Sequence, residues 1–75
     1  MATLPRLSGL ETVRVFESLG WQVVRQKGSH IILTKPGHMA TLSIPNHKEV
    51  AKGTLRSLIR SAGITVSIFI DALKN

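Results

Sequence analysis

The chain has 75 residues, no cysteine, and ten Lys and Arg residues against four acidic residues, which gives a formal net charge of +6 at pH 7. This length predicts a single domain over residues 1–75 without a deep substrate cavity, and the lack of cysteine excludes disulfides, thiolate zinc sites and a thiol nucleophile. The apolar runs are too short to span a membrane and no signal-peptide pattern opens the chain, so a small soluble cytoplasmic protein is expected.

A first helix is predicted over residues 8–19, after an N-terminal arm formed by residues 1–7. Ser8 and Glu11 have the spacing of a capping box, in which each side chain bonds a free backbone amide of the first turn. Gly20 fits the left-handed position that ends a helix. Apolar residues at helical spacing are expected to face the core: Leu10, Val13, Phe16 and Leu19.

Three β-strands are predicted next, over residues 21–26, 30–35 and 39–44. A turn at Gly28-Ser29 separates the first two strands, and Pro36-Gly37 predicts a hairpin between the second and the third. Pro45 should end the third strand because it has no N–H to donate to a neighbour. The first strand is expected to be half-buried and to alternate between two faces: Trp21, Val23 and Arg25 against Gln22, Val24 and Gln26.

Two further helices are predicted, over residues 52–62 and 66–74, with Thr65 as the cap of the last one. The element order α-β-β-β-α-α predicts an α+β fold, in which a three-stranded antiparallel sheet packs its helices on one face. The other face of the sheet is expected to be open to a ligand. Apolar residues of the first of these helices should face the core: Leu55, Leu58, Ile59 and Ala62.

The last predicted helix is apolar on more than one face. Val66, Phe69, Ile70 and Leu73 can pack on the body, which leaves Ile68 unexplained. Two interpretations stay open: a core helix with one exposed isoleucine, or a surface for self-association or a partner protein.

The positive charge is confined to the middle of the chain. Residues 1–20 and residues 64–75 each balance to zero, whereas residues 21–63 hold the whole excess of +6 and all three histidines. Such segregation is typical of proteins that bind a polyanion, most often nucleic acid, although a charge that serves solubility is the alternative. Lys52, Arg56 and Arg60 are four residues apart and should form a basic ridge on one helix, where they are expected to follow phosphates.

The segment Arg25-Gln-Lys-Gly-Ser-His30 places a histidine directly after a glycine-containing turn and close to two cations. Histidine gives and takes protons near neutral pH, and cations stabilise charge that gathers on a phosphodiester. Those are the groups that a ribonuclease needs. From spacing alone, His30 is best interpreted as an ordinary polar residue on the surface.

The other two histidines are less informative. His38 is expected to be a solvated turn residue at the Pro-Gly hairpin. His47, next to Lys48, follows the third strand and could neighbour His30 if the second and third strands pair closely. No metal site and no cofactor are expected, because the three histidines are scattered and the acids are few.

Five segments together resemble the HicA toxin family of bacterial and archaeal toxin–antitoxin systems, over about residues 4–73. They are Leu4-Pro-Arg-Leu-Ser-Gly9, Leu19-Gly-Trp21, Val24-Arg-Gln-Lys-Gly-Ser-His30, Ile44-Pro-Asn-His47 and Lys52-Gly-Thr-Leu-Arg-Ser-Leu-Ile-Arg-Ser-Ala-Gly63. The resemblance implies a fold like that of double-stranded-RNA-binding domains. It also implies cleavage of mRNA without a metal, and inhibition by a HicB-type antitoxin.

The family's catalytic histidine falls on His30, so the resemblance makes His30 the expected catalytic residue. The residues expected to bind RNA are Arg25, Lys27, Ser29, His47, Lys48, Lys52, Arg56 and Arg60. The sequence thus predicts an endoribonuclease toxin that binds RNA and an antitoxin protein, but no membrane. A non-catalytic RNA-binding module of the same fold is the alternative, and a pure interaction protein that works through its C-terminal helix is a third reading.

Overall fold

The computed structural model describes residues 3–74, so residues 1 and 2 of the predicted N-terminal arm and the last residue of the chain lie outside the described residues. The elements are α1 (Gly9–Ser18), β1 (Gln22–Lys27), β2 (His30–Thr34), β3 (Leu42–Pro45), α2 (Lys52–Ser61) and α3 (Val66–Lys74). The predicted α+β fold with the order α-β-β-β-α-α is confirmed. Within the described part of the chain, no helix combines the length and apolar character that crossing a membrane requires.

Both ends of α1 follow from local sequence, as predicted. The Ser8 hydroxyl accepts a bond from the Glu11 N–H (3.1 Å), and the Glu11 carboxylate accepts one from the Ser8 N–H (2.9 Å). At the other end Gly20 has φ +99°, and the Trp21 N–H bonds the Phe16 carbonyl across it (3.0 Å). This is a Schellman motif, and the Phe16 and Trp21 rings supply its apolar contact with centroids 6.4 Å apart.

The apolar face of α1 differs from the expected one at Leu10, which is 55% exposed. The buried positions of the helix are Gly9, Thr12, Val13, Val15 and Phe16. The helix is therefore rotated so that Gly9 rather than Leu10 meets the sheet, and the reason is the close approach of the first turn to β3 that is described below.

The sheet is antiparallel with the strand order β1-β2-β3, so β2 is its central strand. Ile31 and Leu33 on β2 lie opposite Ile44 and Leu42 on β3, and all four side chains are buried under the helices. Period-two alternation turns His30, Ile32 and Ser43 to the other face, which carries no helix. One face of the sheet is thus core and the other is open, as expected.

The predicted half-burial of β1 is wrong, because all six of its residues are exposed. The strand lies at the edge of the sheet, where Val23 and Val24 remain 44% and 53% exposed. A β-bulge between Val23 and Arg25 also interrupts the expected alternation, since Val23 lies opposite Leu33 and Arg25 lies opposite the next residue, Ile32. Val24 is the extra residue of the bulge.

The connection from β2 to β3 is longer than the predicted hairpin. Lys35, Pro36, Gly37 and His38 form a turn closed by the His38 N–H and the Lys35 carbonyl (3.0 Å), but β3 begins only at Leu42. Met39 is therefore fully exposed rather than part of a strand.

His38 is not a solvated turn residue, contrary to expectation. Its ring packs on Trp21 with centroids 4.9 Å apart, and its Nδ1 accepts a bond from the Ala40 N–H (3.2 Å). The aromatic surface of Trp21 holds this ring at the body of the protein, so His38 has a structural place in the fold.

The helices form the second layer. Leu55, Leu58 and Ile59 on α2 are buried as predicted, and Phe69 of α3 contacts Phe16 of α1 with ring centroids 5.3 Å apart. The Thr65 hydroxyl caps α3 by accepting from the Ile68 N–H (3.1 Å). Ile68 itself is 44% exposed.

Candidate functional site

His30 begins the central strand at the open face of the sheet. It lies opposite Lys27 across the β1–β2 hairpin and opposite Pro45 on its other side. The hairpin turn consists of Gly28 and Ser29, and Gly28 has φ +60° while Ser29 has negative φ. Those signs match a type II′ turn, which requires glycine at its first position and aligns with the twist of the flanking strands. The turn fixes where His30 starts and leaves its side chain exposed.

The register of the β1–β2 hairpin places Arg25 on the same face as His30. Directly opposite residues of an antiparallel pair share a face, so Lys27 accompanies His30 and Arg25 accompanies Ile32. Val23, by contrast, lies opposite the buried Leu33 and points to the helical side. The bulge at Val24 causes this difference, because Val23 and Arg25 would share a face in a regular strand. Two cations and one histidine therefore share one exposed surface, which we call the open-face cluster (Arg25, Lys27 and His30).

The segment after β3 lies against the same turn. The Asn46 N–H bonds the Ser29 carbonyl (2.7 Å), which ties the backbone after Pro45 to the residue before His30. His47 follows directly, and its carbonyl accepts a bond from the Gly9 N–H (2.8 Å). The structure therefore brings Ser29 and the backbone of His47 to the end of the sheet where His30 lies, and both His47 and Lys48 are exposed.

The predicted basic ridge is present on α2 but on a different surface. Lys52, Arg56 and Arg60 are all exposed, opposite the buried Leu55, Leu58 and Ile59. At 1.5 Å per residue the ridge spans about 12 Å, and Lys52 is the end nearest the segment that carries His47 and Lys48.

The far end of the ridge borders a shallow cavity of about 270 Å³. Arg56 and Arg60 form its charged rim, and Ile59, Ile64 and Val66 form its apolar wall. Both arginines therefore lie apart from the open-face cluster, and a ligand that contacts the two must extend along the molecule.

The charged residues of the sheet are all positive. Residues 18–48, which include all three strands, contain no Asp or Glu. Glu11, in the first turn of α1, is bonded to Ser8, and the Ser8 backbone N–H and hydroxyl group hold the pKa of Glu11 below its ordinary value. The strands and the loops between them therefore offer an anion cations and no carboxylate, which suits a phosphodiester backbone.

The imidazole of His30 gives the open-face cluster a group that can transfer protons. An exposed imidazole can act as a general acid or base toward a bound phosphodiester, while neighbouring cations stabilise the charge that develops on phosphorus. Within residues 3–74, no group of three or more His, Cys, Asp or Glu side chains is arranged to hold a metal ion.

Comparison with known proteins adds two findings. Residues 9–64 match the family described as the HicA toxin of bacterial toxin–antitoxin systems, a span that includes every residue of the open-face cluster and of the ridge. A chain in a solved toxin–antitoxin complex from Streptococcus pneumoniae is 34% identical, with a TM-score of 0.69, over 77% of this chain and 98% of that one. No curated protein matches the sequence.

Proposed function

This chain belongs to the HicA toxin family of bacterial toxin–antitoxin systems, and we propose that it is an endoribonuclease that cleaves mRNA with His30 as its catalytic residue. The observation that carries the proposal is the open-face cluster. His30 is exposed at the end of the central strand, with Lys27 directly opposite and Arg25 on the same face. Proton transfer and phosphate binding are thus available on one surface.

The chemistry follows from these three side chains. RNA carries a 2′-hydroxyl beside each phosphodiester, and removal of its proton lets the oxygen attack phosphorus. The bond from phosphorus to the 5′-oxygen then breaks, which leaves a 2′,3′-cyclic phosphate, and the departing 5′-oxygen takes up a proton. His30 moves a proton in this reaction, and Arg25 and Lys27 offset the negative charge that grows on the phosphoryl oxygens. No metal enters this route. A substrate without the 2′-hydroxyl should not be cut.

Binding of the RNA strand involves a longer surface. We assign contacts with the RNA phosphates to Ser29, His47 and Lys48 beside the open-face cluster. The α2 ridge extends this surface with Lys52, Arg56 and Arg60. If the six Lys and Arg side chains of this surface contact a single strand, log Kd should change with log salt with a slope of about 4. An affinity that does not change with salt would contradict this surface.

A matched pair of arginine variants tests the ridge. Arg56→Ala should weaken RNA binding and lower the salt slope by about 1, because one phosphate contact is lost. Arg14 on α1 is also exposed but lies on the α1–α3 side, where it lines a groove with Glu11 and Leu73. Arg14→Ala should leave the affinity unchanged, and equal losses in both variants would show that only net charge matters.

We also propose a HicB-type antitoxin as the protein partner. The relative in Streptococcus pneumoniae is part of a toxin–antitoxin complex, and the two chains share fold and sequence over most of their length. Since mRNA is the proposed substrate, the cytoplasm is the proposed compartment. Adding a HicB-type protein to the cleavage reaction should stop it, and an undiminished rate with the partner bound would contradict inhibition.

Self-association through α3 completes the proposal for partners. Exposed Ile68 borders a groove of about 330 Å³ with Leu19 and Asp71. Sedimentation velocity over a range of protein concentrations tests self-association. An apparent mass that rises with concentration for the wild type, but not for Ile68→Ser, supports it. A wild-type protein that is monomeric at every concentration would contradict self-association.

The decisive experiment for the activity uses purified protein and a defined RNA in EDTA. Cleavage should occur for the RNA, should fail for the same strand with 2′-deoxy nucleotides, and should fail for His30→Ala. An inert wild-type protein that still binds RNA would favour a non-catalytic RNA-binding module instead.

A further inference from the structure

Gly9 lies where three parts of the site meet. Its N–H bonds the His47 carbonyl (2.8 Å), and the carbonyl of Leu7, two residues earlier, accepts a bond from the Val50 N–H (2.7 Å). The segment from Leu7 to Gly9 therefore holds both ends of the loop that carries His47 and Lys48. That loop is bonded in turn to Ser29, the residue before His30.

The contact at Gly9 leaves no room for a side chain. A Cβ atom built on Gly9 would overlap the carbonyl oxygen of Pro45 and would lie 2.8 Å from the Cα of Asn46. These neighbours are backbone atoms, which cannot swing aside as a flexible side chain can. Any substitution must displace α1 from the end of β3, or β3 from α1.

The requirement for glycine here is steric rather than conformational. Gly20, Gly28, Gly37 and Gly63 have positive φ, but Gly9 does not, so its backbone conformation is open to alanine. Alanine is the better residue inside a helix, because glycine loses more conformational entropy on folding. What glycine offers at this position is the close approach of α1 to Pro45 and Asn46.

We propose that Gly9 is a positioning residue for the reaction: its missing side chain lets α1 rest on the Pro45–His47 backbone, and this contact fixes His30 and His47 relative to each other. Pro45 is the strand partner of His30, and Asn46 is bonded to Ser29. A displacement of Pro45 and Asn46 is therefore passed to the first residue of β2. This inference rests on the proposed function of His30.

The test compares Gly9→Ala with Gly53→Ala. Gly53 is also helical and without positive φ, but nothing lies within 4 Å of its Cβ position, so it is a matched control. At a temperature where both variants are folded, Gly9→Ala should lower kcat by about tenfold or more while KM changes by less than about threefold. Gly53→Ala should retain wild-type kcat and KM. A folded Gly9→Ala protein with wild-type kcat would overturn the proposal.

Imidazole NMR signals provide a readout that does not depend on cleavage. In Gly9→Ala the signals of His30 and His47 should shift, whereas those of His38, which packs on Trp21 beyond the other end of β2, should not. If the wild type does not cleave RNA, the proposed function fails, and the NMR comparison still decides the role of Gly9. Unmoved signals of His30 and His47 would overturn it.

Hydrogen exchange on the wild type covers the case in which Gly9→Ala does not fold. The amide protons of Gly9 and Asn46 should exchange as slowly as those of β2, because both are held in the bonds described above. Fast exchange at either amide would overturn the proposal. The double variant Gly9→Ala/Gly53→Ala repeats the kinetic test in a background that the second alanine is expected to stabilise.

Discussion

The two faces of β2 hold side chains of different kinds. Ile31 and Leu33 are 5% and 0% exposed and pack into the core, whereas His30, one residue away on the same strand, is exposed beside Lys27. Stability and the proposed chemistry therefore depend on different residues of a single strand. Substitutions on the buried face should lower the free energy of unfolding, and substitutions on the open face should lower cleavage without unfolding the protein.

The largest expected effect is on the buried face. Leu33→Ala should lower the free energy of unfolding by about 2–5 kcal/mol, because it leaves a cavity between the sheet and the helices. A domain of this size has about 4–11 kcal/mol in total, so the loss is measurable by urea denaturation. Ile32→Ala is the control: Ile32 is half-buried and lies on the open face, so its loss should lower the free energy of unfolding by less. Equal losses at both positions would remove the distinction between the faces.

The next effect is on the open face. Lys27→Ala should lower the rate of RNA cleavage by about tenfold or more, since a cation beside the phosphate is lost. Its free energy of unfolding should stay within about 0.5 kcal/mol of the wild type, because the side chain is exposed. Lys74→Ala, at the end of α3, is the matched control and should cleave normally. A Lys27→Ala protein that cleaves normally but unfolds more easily would contradict the separate roles of the two faces.

A smaller effect on stability is expected at the capping box. Ser8→Ala should lower the free energy of unfolding by about 0.5–2 kcal/mol, because the Glu11 N–H loses its acceptor. Ser57→Ala on α2, where the serine is exposed, should change stability much less. Thermal melts of the two variants measure the difference. Similar melting temperatures for both would show that the cap contributes nothing.

The smallest effect concerns pH. Hydrogen bonds from Ser8 hold the pKa of Glu11 below its ordinary value of 4.5, so the ionised form stabilises the folded state above that pH. This stability should be lost as the pH falls through the lowered pKa of the folded protein. Melting temperatures recorded from about pH 6 to pH 3 should fall less steeply for Glu11→Gln than for the wild type. Identical profiles would show that Glu11 plays no part.

The sequence was most predictive where structure depends on neighbours along the chain. Ser8, Glu11 and Gly20 set the ends of α1, and Thr65 caps α3, because these caps are bonds between residues three to five apart. The three-stranded antiparallel sheet was also predicted, because turn residues mark where its strands are separated. Leu10 was misassigned, because the approach of Gly9 to Pro45 sets the rotation of α1 and is a contact between distant residues.

The open face could be predicted only in part. The turn at Gly28 and the cations around His30 are readable in sequence, but the bulge that turns Val23 to the helical side while Arg25 stays on the open face depends on pairing with β2. The adjacent apolar pair Val23 and Val24 was the only local signal of that break in alternation. The packing of His38 on Trp21 likewise joins residues on separate elements, so a turn motif alone gave the wrong environment.

The central claim is that His30 supplies the chemistry while taking no part in stability. The most direct measurement is the RNA cleavage rate of His30→Ala in EDTA, at a temperature where its near-UV circular dichroism matches that of the wild type. Loss of a general acid or base predicts a fall of at least about 10²- to 10⁴-fold with an unchanged melting temperature. Cleavage by the folded variant at the wild-type rate would contradict the assignment of His30.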